Sequence, residues 1–348
     1  LVIGSNLRRE VPILAHRVRK AALRCARIAF LNPAPFEHLF PVAASVVSPP
    51  AKQVSDLAAV LGAALEGSKG SAPEHLKPVV RGARIEARHR DLATALTHGE
   101  RRAIWLGALA IRHPAYADLR ALAGALAEAT GATLGVLAEG ANAAGAYLAG
   151  AVPHREAGSE SVADPGLSAR EMLAKPLKAY VLYGVEPWAD ALGADAMKTL
   201  HEADLVIALT PYASEPLKQV ADILLPIGAF GESSGTFVNL EGVWQSFAGA
   251  SKPVGETRPG WKVLRVLGTL LGLSAFDYQS SEDVREEVRR RCEGAKVAAL
   301  RTTHRVSDSA DGASVVDVPM YRVDALVRRA PSLQRTREGR ASPAVYRG

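Results

Sequence analysis

Short apolar runs alternate with longer stretches of helical period along most of this chain. Leu1–Gly4 has the pattern of a strand end, and Gly4-Ser5-Asn6 turns out of it. Val11, Leu14, Ala15, Val18, Ala22 and Cys25 recur at roughly helical spacing through Glu10–Cys25, opposite a face bearing Arg17, Arg19, Lys20 and Arg24. Ile28–Leu31 is the next strand, halted by Asn32-Pro33, and Val42–Val47 follows, closed by Ser48-Pro49-Pro50. The pattern then predicts a helix over Gln53–Leu65, a loop over Glu66–Pro78 and a charged surface helix over Arg84–Thr97. Ala103–Ile111 is strand-like, Ala115–Thr130 helical and Leu134–Leu137 a strand. Repeated strand–helix–strand order predicts a parallel sheet with right-handed crossovers.

The small residues after Gly140-Ala141-Asn142 suit close helix packing. Pro153–Pro165 is polar and broken by Gly158 and Pro165, which marks a boundary. Ser168-Ala169-Arg170-Glu171 is a capping box that announces a helix. Strands are predicted at Ala179–Tyr183, Leu205–Leu209 and Ile223–Leu225, with a helix over Asp195–Glu202. Pro226 ends the last strand, and Gly228, Gly231, Gly235 and Gly242 then predict a long shaped loop, neither regular helix nor strand. Pro259–Leu271 is the clearest helix, with Trp261, Leu264, Leu267 and Leu271 on one face and Gly272 as its stop. Beyond Phe276 the pattern thins to a charged helix (Glu282–Cys292), a polar loop (Thr302–Ala313) and a basic tail (Arg322–Arg347). The tail is either a solvated end or an arm for a neighbouring subunit.

The expected architecture is α/β: two lobes with mainly parallel, doubly wound sheets at 1–150 and 167–275, joined by a linker at 151–166. The second lobe carries the glycine-rich loop 226–247, and an irregular extension and basic tail occupy 276–348. Leu1–Gly4 looks like a strand with nothing ahead of it to complete a sheet, so a fragment of a longer chain is expected.

Composition changes this picture little. With 348 residues and 48% apolar content the chain can bury sizeable cores, and a net charge of +6 gives weak grounds for a polyanion partner. The two cysteines, Cys25 and Cys292, are too few to ligate an iron–sulphur cluster or build a disulfide framework. Basic residues lack interleaved aromatics, which argues against nucleic acid. Histidines are scattered without metal-ligand spacing. Glu128 and Glu139 interrupt the Ala/Gly-rich stretch 121–152, so it does not span a bilayer.

Two motifs invite chemistry. The turn Gly4–Arg9 lacks the later glycines of a dinucleotide fingerprint. Gly231-Glu232-Ser233-Ser234-Gly235 matches a nucleophile elbow, with His304 downstream as base and Asp277 or Asp283 as orienting acid. The residues that follow, Thr236-Phe237-Val238-Asn239, are β-branched and aromatic and do not continue into the helix an elbow requires.

The stretches ADILLP, ESSGTFVN-x-EG and QSF, within Ala221–Phe247, resemble the signature of the molybdopterin oxidoreductase superfamily. KPVGETRPGWKVLRVLGTLLGL, LVIGSNLRREVPIL, AEGANAAGAYLAGAVP, SAREML and YRVDALVRRAPSLQ narrow the resemblance. They are similar to the large iron–sulphur subunit of bacterial NADH:quinone oxidoreductase (respiratory complex I). The resemblance implies a molybdopterin-oxidoreductase-like fold in a peripheral-arm subunit. In that family an amino-terminal part, outside this chain, carries 2Fe-2S and 4Fe-4S clusters. The expected task of this part is scaffolding among the other peripheral-arm subunits. It would lie on the cytoplasmic side of the bacterial inner membrane, with membrane contact only through the complex.

In molybdenum relatives the loops matching Asn142, Gly184, Glu186 and Pro187, and Glu232, Gly235, Thr236, Asn239 and Gly242, face the pterin. Here those loops offer acids and glycines without Arg or Lys. Val243-Trp244 also departs from the family's usual Arg-Val. The expectation is a vestigial cleft, with no molybdenum cofactor, no metal ligand and no catalytic residue. A module of a molybdopterin-dependent oxidoreductase of the formate dehydrogenase type is the alternative, and a serine hydrolase through Ser233 a remote one.

Overall fold

The computed structural model describes residues 1–66, 70–190, 196–294, 302–307 and 312–347. They divide into two compact units, Leu1–Glu139 with Val297–Gly348, and Gly140–Lys296. The division falls ahead of the 151–166 segment, which folds onto the second unit. There the Gly158 N–H donates to the Leu148 carbonyl (2.8 Å) and Arg155 Nη1 to Ser161 Oγ (2.7 Å).

In the first unit, β1 (Val2–Ile3), β2 (Ala29–Asn32), β3 (Ala44–Val47), β4 (Ala103–Leu106) and β5 (Thr133–Val136) form a parallel sheet in the order β3-β2-β1-β4-β5. Successive side chains on a strand point to opposite faces, so the apolar runs bury both. Ile3, Leu31 and Leu106 pack on one side with Leu57, Leu61, Leu92, Leu119 and Leu122, from the helices Pro50–Glu66, Ala87–Thr97 and Tyr116–Thr130. Val2 and Phe30 face the other side and meet Val18 of the Pro12–Ala22 helix, together with Leu7 and Leu137.

Several expectations change locally. The Arg84–Thr97 segment is not merely a surface helix. Its helical part, Ala87–Thr97, buries His89, Leu92, Ala93, Ala95 and Leu96. Ala103–Ile111 is a strand only to Leu106, because Gly107 turns the chain into the helical turn Ala108–Ile111. The expected loop Glu66–Pro78 includes a 3-10 turn, Glu74–Leu76, and the start of the helix Lys77–Gly82, while residues 67–69 lie outside the described ones.

In the second unit, β6 (Ala179–Tyr183), β7 (Leu205–Thr210) and β8 (Ile223–Pro226) are parallel and adjacent in that order. Pro226 is tolerated because β8 is an edge strand. The Ser168 capping box forms as expected. Glu171 Oε2 accepts from the Ser168 N–H at 2.7 Å, and Ser168 Oγ from the Glu171 N–H at 3.4 Å, opening the helix Ala169–Ala174. The helix expected over Asp195–Glu202 is described at Ala196–His201; Asp195 lies outside the described residues. A helix at Glu215–Val220 was not expected. Tyr180, Leu182, Val206 and Ala208 pack with Leu200, Leu217 and Val220 on one face of this sheet. On the other face Val181, Tyr183 and Ile223 remain 61%, 46% and 43% exposed.

The 226–247 stretch corrects the loop expectation most. Gly235–Val238 (β9) and Trp244–Phe247 (β10) form an antiparallel hairpin, with Gly235 opposite Phe247 and Val238 opposite Trp244. Phe230, Phe237 and Phe247 cluster with ring centroids 5.0–5.8 Å apart, and the Phe247 ring lies over Gly235. Aromatic packing replaces the side chain that glycine lacks.

The chain continues through the helices Gly260–Leu270 and Ser281–Arg291. The carboxyl-terminal segment is not a loose end. Ser314–Asp317 (β11) pairs antiparallel with Ala344–Arg347 (β12) within the first unit.

Candidate functional site

Open α/β sheets place ligands beyond the carboxyl ends of their strands, where the connections after two neighbouring strands diverge. In the first unit that switch lies between β1 and β4. The turns there are drawn together tightly. Gly4 adopts φ +61° and its carbonyl accepts from the Leu109 N–H (2.9 Å), while the Gly107 N–H donates to the Ile3 carbonyl (2.9 Å). Ser5 is fully buried. Its N–H donates to Asn32 Oδ1 (2.8 Å) and its carbonyl accepts from Asn32 Nδ2 (3.1 Å), locking the end of β1 to that of β2.

The Glu10 carboxylate sits over this junction. Its Oε2 accepts from Ser5 Oγ (2.8 Å) and the Ala108 N–H (3.0 Å), and its Oε1 from the Asn6 N–H (2.7 Å). Burial raises the Glu10 carboxyl above its ordinary value, and those three donors pull it partly back down. The β11–β12 pair lies nearby, and the negative charge of Asp317 on β11 pushes the Glu10 carboxyl further up. Arg112 Nη1 donates to the Val316 carbonyl (3.0 Å) and Arg112 also pairs with Glu139, while Arg9 pairs with Glu338 at 3.2 Å. Burial likewise raises the Asp317 carboxyl, opposed by Arg112 and Arg9.

In the second unit the residues singled out from sequence serve local geometry. Gly184, φ +64°, follows β6, and Glu186 and Pro187 are buried where the helical turn Pro187–Asp190 begins. Asp190 Oδ2 accepts from the Glu186 N–H at 2.6 Å. Glu232 Oε2 accepts from the Ala229 N–H at 2.8 Å. Asn142 Oδ1 accepts from the Val238 N–H at 2.8 Å, fastening the Ala143–Leu148 helix to β9. Thr236 Oγ1 and Ser246 Oγ share a hydrogen bond of 2.9 Å across the hairpin. Asn239 Oδ1 accepts from the Glu241 and Val243 N–H groups, both at 2.9 Å, and shapes the connecting turn with Gly242 at φ +78°. Sequence reading found no cation in these loops. The fold brings one to the hairpin: Arg285 Nη1 donates to Ser246 Oγ at 2.9 Å and pairs with Glu286.

The hydrolase constellation is not assembled. The Gly231–Gly235 stretch leaves a 3-10 turn, Phe230–Glu232, and enters β9, so no helix follows Ser233. Asp283 caps its own helix through the Gln279 and Ser280 N–H groups, and His304 Nε2 meets Asp118 Oδ1 (2.5 Å) instead of either proposed acid. Ser233→Ala is therefore expected to leave hydrolysis of an activated ester at background rate. A fall in a measurable rate would restore that reading.

A pterin nucleotide needs backbone N–H donors at strand ends for its phosphates. Here Glu10, Asp190 and Glu232 take N–H donors from such turns. A phosphate brought to those donors would meet a carboxylate. Among the described residues no cluster of three or more His, Cys, Asp or Glu could hold a metal ion, and no helix is long and apolar enough to cross a membrane. Sequence reading missed Glu10. The acid four residues after Asn6 was its one local signal, and the Ala108 donor lies 98 residues further on.

Parallel strands joined by helical crossovers define a doubly wound type of α/β fold. The chain belongs to the molybdopterin oxidoreductase family, which it matches over residues 1–270. It is 31% identical over 93 residues to the NADH-ubiquinone oxidoreductase 75 kDa subunit of Reclinomonas americana (27% of this chain, 13% of that one). It is 32% identical over 94 residues to the F420-dependent formate dehydrogenase subunit alpha of Methanocaldococcus jannaschii (27% and 14%). It is 29% identical over 121 residues to the thiosulfate reductase molybdopterin-containing subunit of Salmonella typhimurium (34% and 15%). The aligned part is thus about a seventh of each relative's length.

Proposed function

We propose that this chain is a scaffold module of an oxidoreductase complex, of the kind formed by the large iron–sulphur subunit of NADH:quinone oxidoreductase. The observation that carries this reading is the capture of strand-end donors by Glu10, Asp190 and Glu232. Each of these carboxylates already holds backbone donors that a phosphate would need, so a phosphate could bind there only by displacing it. The open face of β6–β8 supports burial within an assembly, since parallel sheets are ordinarily covered on both sides. In this reading 2Fe-2S and 4Fe-4S clusters are held outside these residues. The neighbours are peripheral-arm subunits on the cytoplasmic side of the membrane, and the reaction is NADH oxidation coupled to quinone reduction and proton translocation.

A second reading, a module of a molybdopterin-dependent enzyme of the formate dehydrogenase type, is favoured by comparable identity to the formate dehydrogenase and thiosulfate reductase subunits. Elemental analysis of the full-length protein in its native complex separates the two. Iron without molybdenum is expected; stoichiometric molybdenum would replace the first reading with the second.

A further inference from the structure

A glutamate that merely caps a turn takes its donors from that turn. Glu10 does more. Its carboxylate joins Ser5 Oγ and the Asn6 N–H, from the turn after β1, to the Ala108 N–H, from the turn after β4. Donors from two diverging strand ends thus converge on one anion at the switch between β1 and β4, the position where α/β sheets take up the charged part of a ligand. The cations nearby are engaged elsewhere: Arg9 pairs with Glu338, and Arg112 with Glu139. The Asp317 carboxylate also lies near enough to act on Glu10, so the junction holds its anion through these neutral donors and not through a cation of its own.

We infer that this junction is an oxyanion site of the fold, able to take a small carboxylate or phosphate, whose occupant is the chain's own Glu10 side chain. The inference rests on the scaffold reading and deepens it. The Glu10 carboxylate occupies these donors, which excludes an external ligand and ties the two strand ends together.

Glu10→Ala removes a methylene and a carboxylate, the atoms that acetate can return. The variant should unfold several degrees below the wild type. Sodium acetate should raise its midpoint by more than sodium chloride of equal ionic strength does, while the wild type responds equally to both. Inorganic phosphate serves as a second probe and should act in the same sense. Ser5→Ala in the Glu10→Ala background removes one donor and should weaken the acetate response. If Glu10→Ala does not accumulate folded, the readout becomes recovery of folded protein on refolding in acetate against chloride, with acetate expected to improve it. Equal responses of variant and wild type, or a variant indifferent to acetate in both readouts, would overturn the inference. The two readings fail separately. Molybdenum in the native complex with acetate rescue intact sinks the scaffold reading alone, and iron without molybdenum but no rescue sinks the internal ligand alone.

Discussion

Gly107→Ala is expected to destabilise the first unit by about 3–5 kcal/mol, more than an ordinary surface change and in the range of a severe core defect. The new methyl group would overlap Ser5 Cβ and lie 2.7 Å from the Gly4 carbonyl oxygen. Neither neighbour can yield. Ser5 is fully buried and held at both backbone groups by Asn32, and the Gly4 carbonyl is bonded to the Leu109 N–H. Gly4→Ala meets the same obstacle from the other side, since its methyl would press on the backbone of Ala110 and its φ of +61° is strained for any other residue. Thermal unfolding followed by circular dichroism should place the Gly107→Ala midpoint roughly 10 °C below the wild type. A shift of a degree or two would show that the turns after β1 and β4 separate easily, and that the junction between them is not tight.

The sheet of the first unit was legible because its strands are buried on both faces. Leu1–Gly4, Ile28–Leu31 and Leu134–Leu137 stand out as apolar runs that helical segments separate, and the structure shifts their bounds by about a residue or two. Local chemistry also translated directly where all its parts lie within one turn, as with Ser168 and Glu171 or the positive-φ Gly272 that follows the Gly260–Leu270 helix. The hairpin at 235–247 escaped because its register depends on aromatic contacts. Gly235, Gly242 and the polar turn between its strands hide its period, and the Phe230–Phe237–Phe247 cluster that fixes it forms only after the chain doubles back.

The site divides in the same way. That Gly184–Pro187 and Glu232–Asn239 come after parallel strands could be read from strand order, and the structure places them there, the second as a turn that enters β9. What those residues do could not. The roles of Asn142 toward Val238 and of Glu10 toward Ala108 join positions 96 and 98 residues apart. The basic tail was open between a solvated end and an arm for a neighbouring subunit, and neither its strand β12, which pairs with β11, nor its Glu338, which pairs with Arg9, could be read from its run of arginines. Charge along a sequence says nothing of which opposite charge the fold will bring to it.

Asn32→Ala should be the second most damaging change, at about 2–4 kcal/mol, and it tests the junction without steric overlap. The substitution deletes the acceptor of the Ser5 N–H and the donor to the Ser5 carbonyl, at 2.8 and 3.1 Å. Ser5 and Asn32 are both buried, so neither orphaned group gains a water in exchange, and each unmade bond costs about 1–3 kcal/mol. Asn32→Asp discriminates further. It keeps an acceptor for the N–H but turns a carboxylate oxygen toward the Ser5 carbonyl, so it should remain destabilised at neutral pH and recover partly when the carboxyl is protonated. Amide hydrogen exchange is the measurement that localises the effect. Protection should fall in β1, β2 and β4 and hold in β6, β7 and β8, whose core is built from other residues. Equal loss of protection in both sheets would mean that Asn32 acts on the whole chain's stability and not on the strand-end lock that fixes Ser5 beneath Glu10.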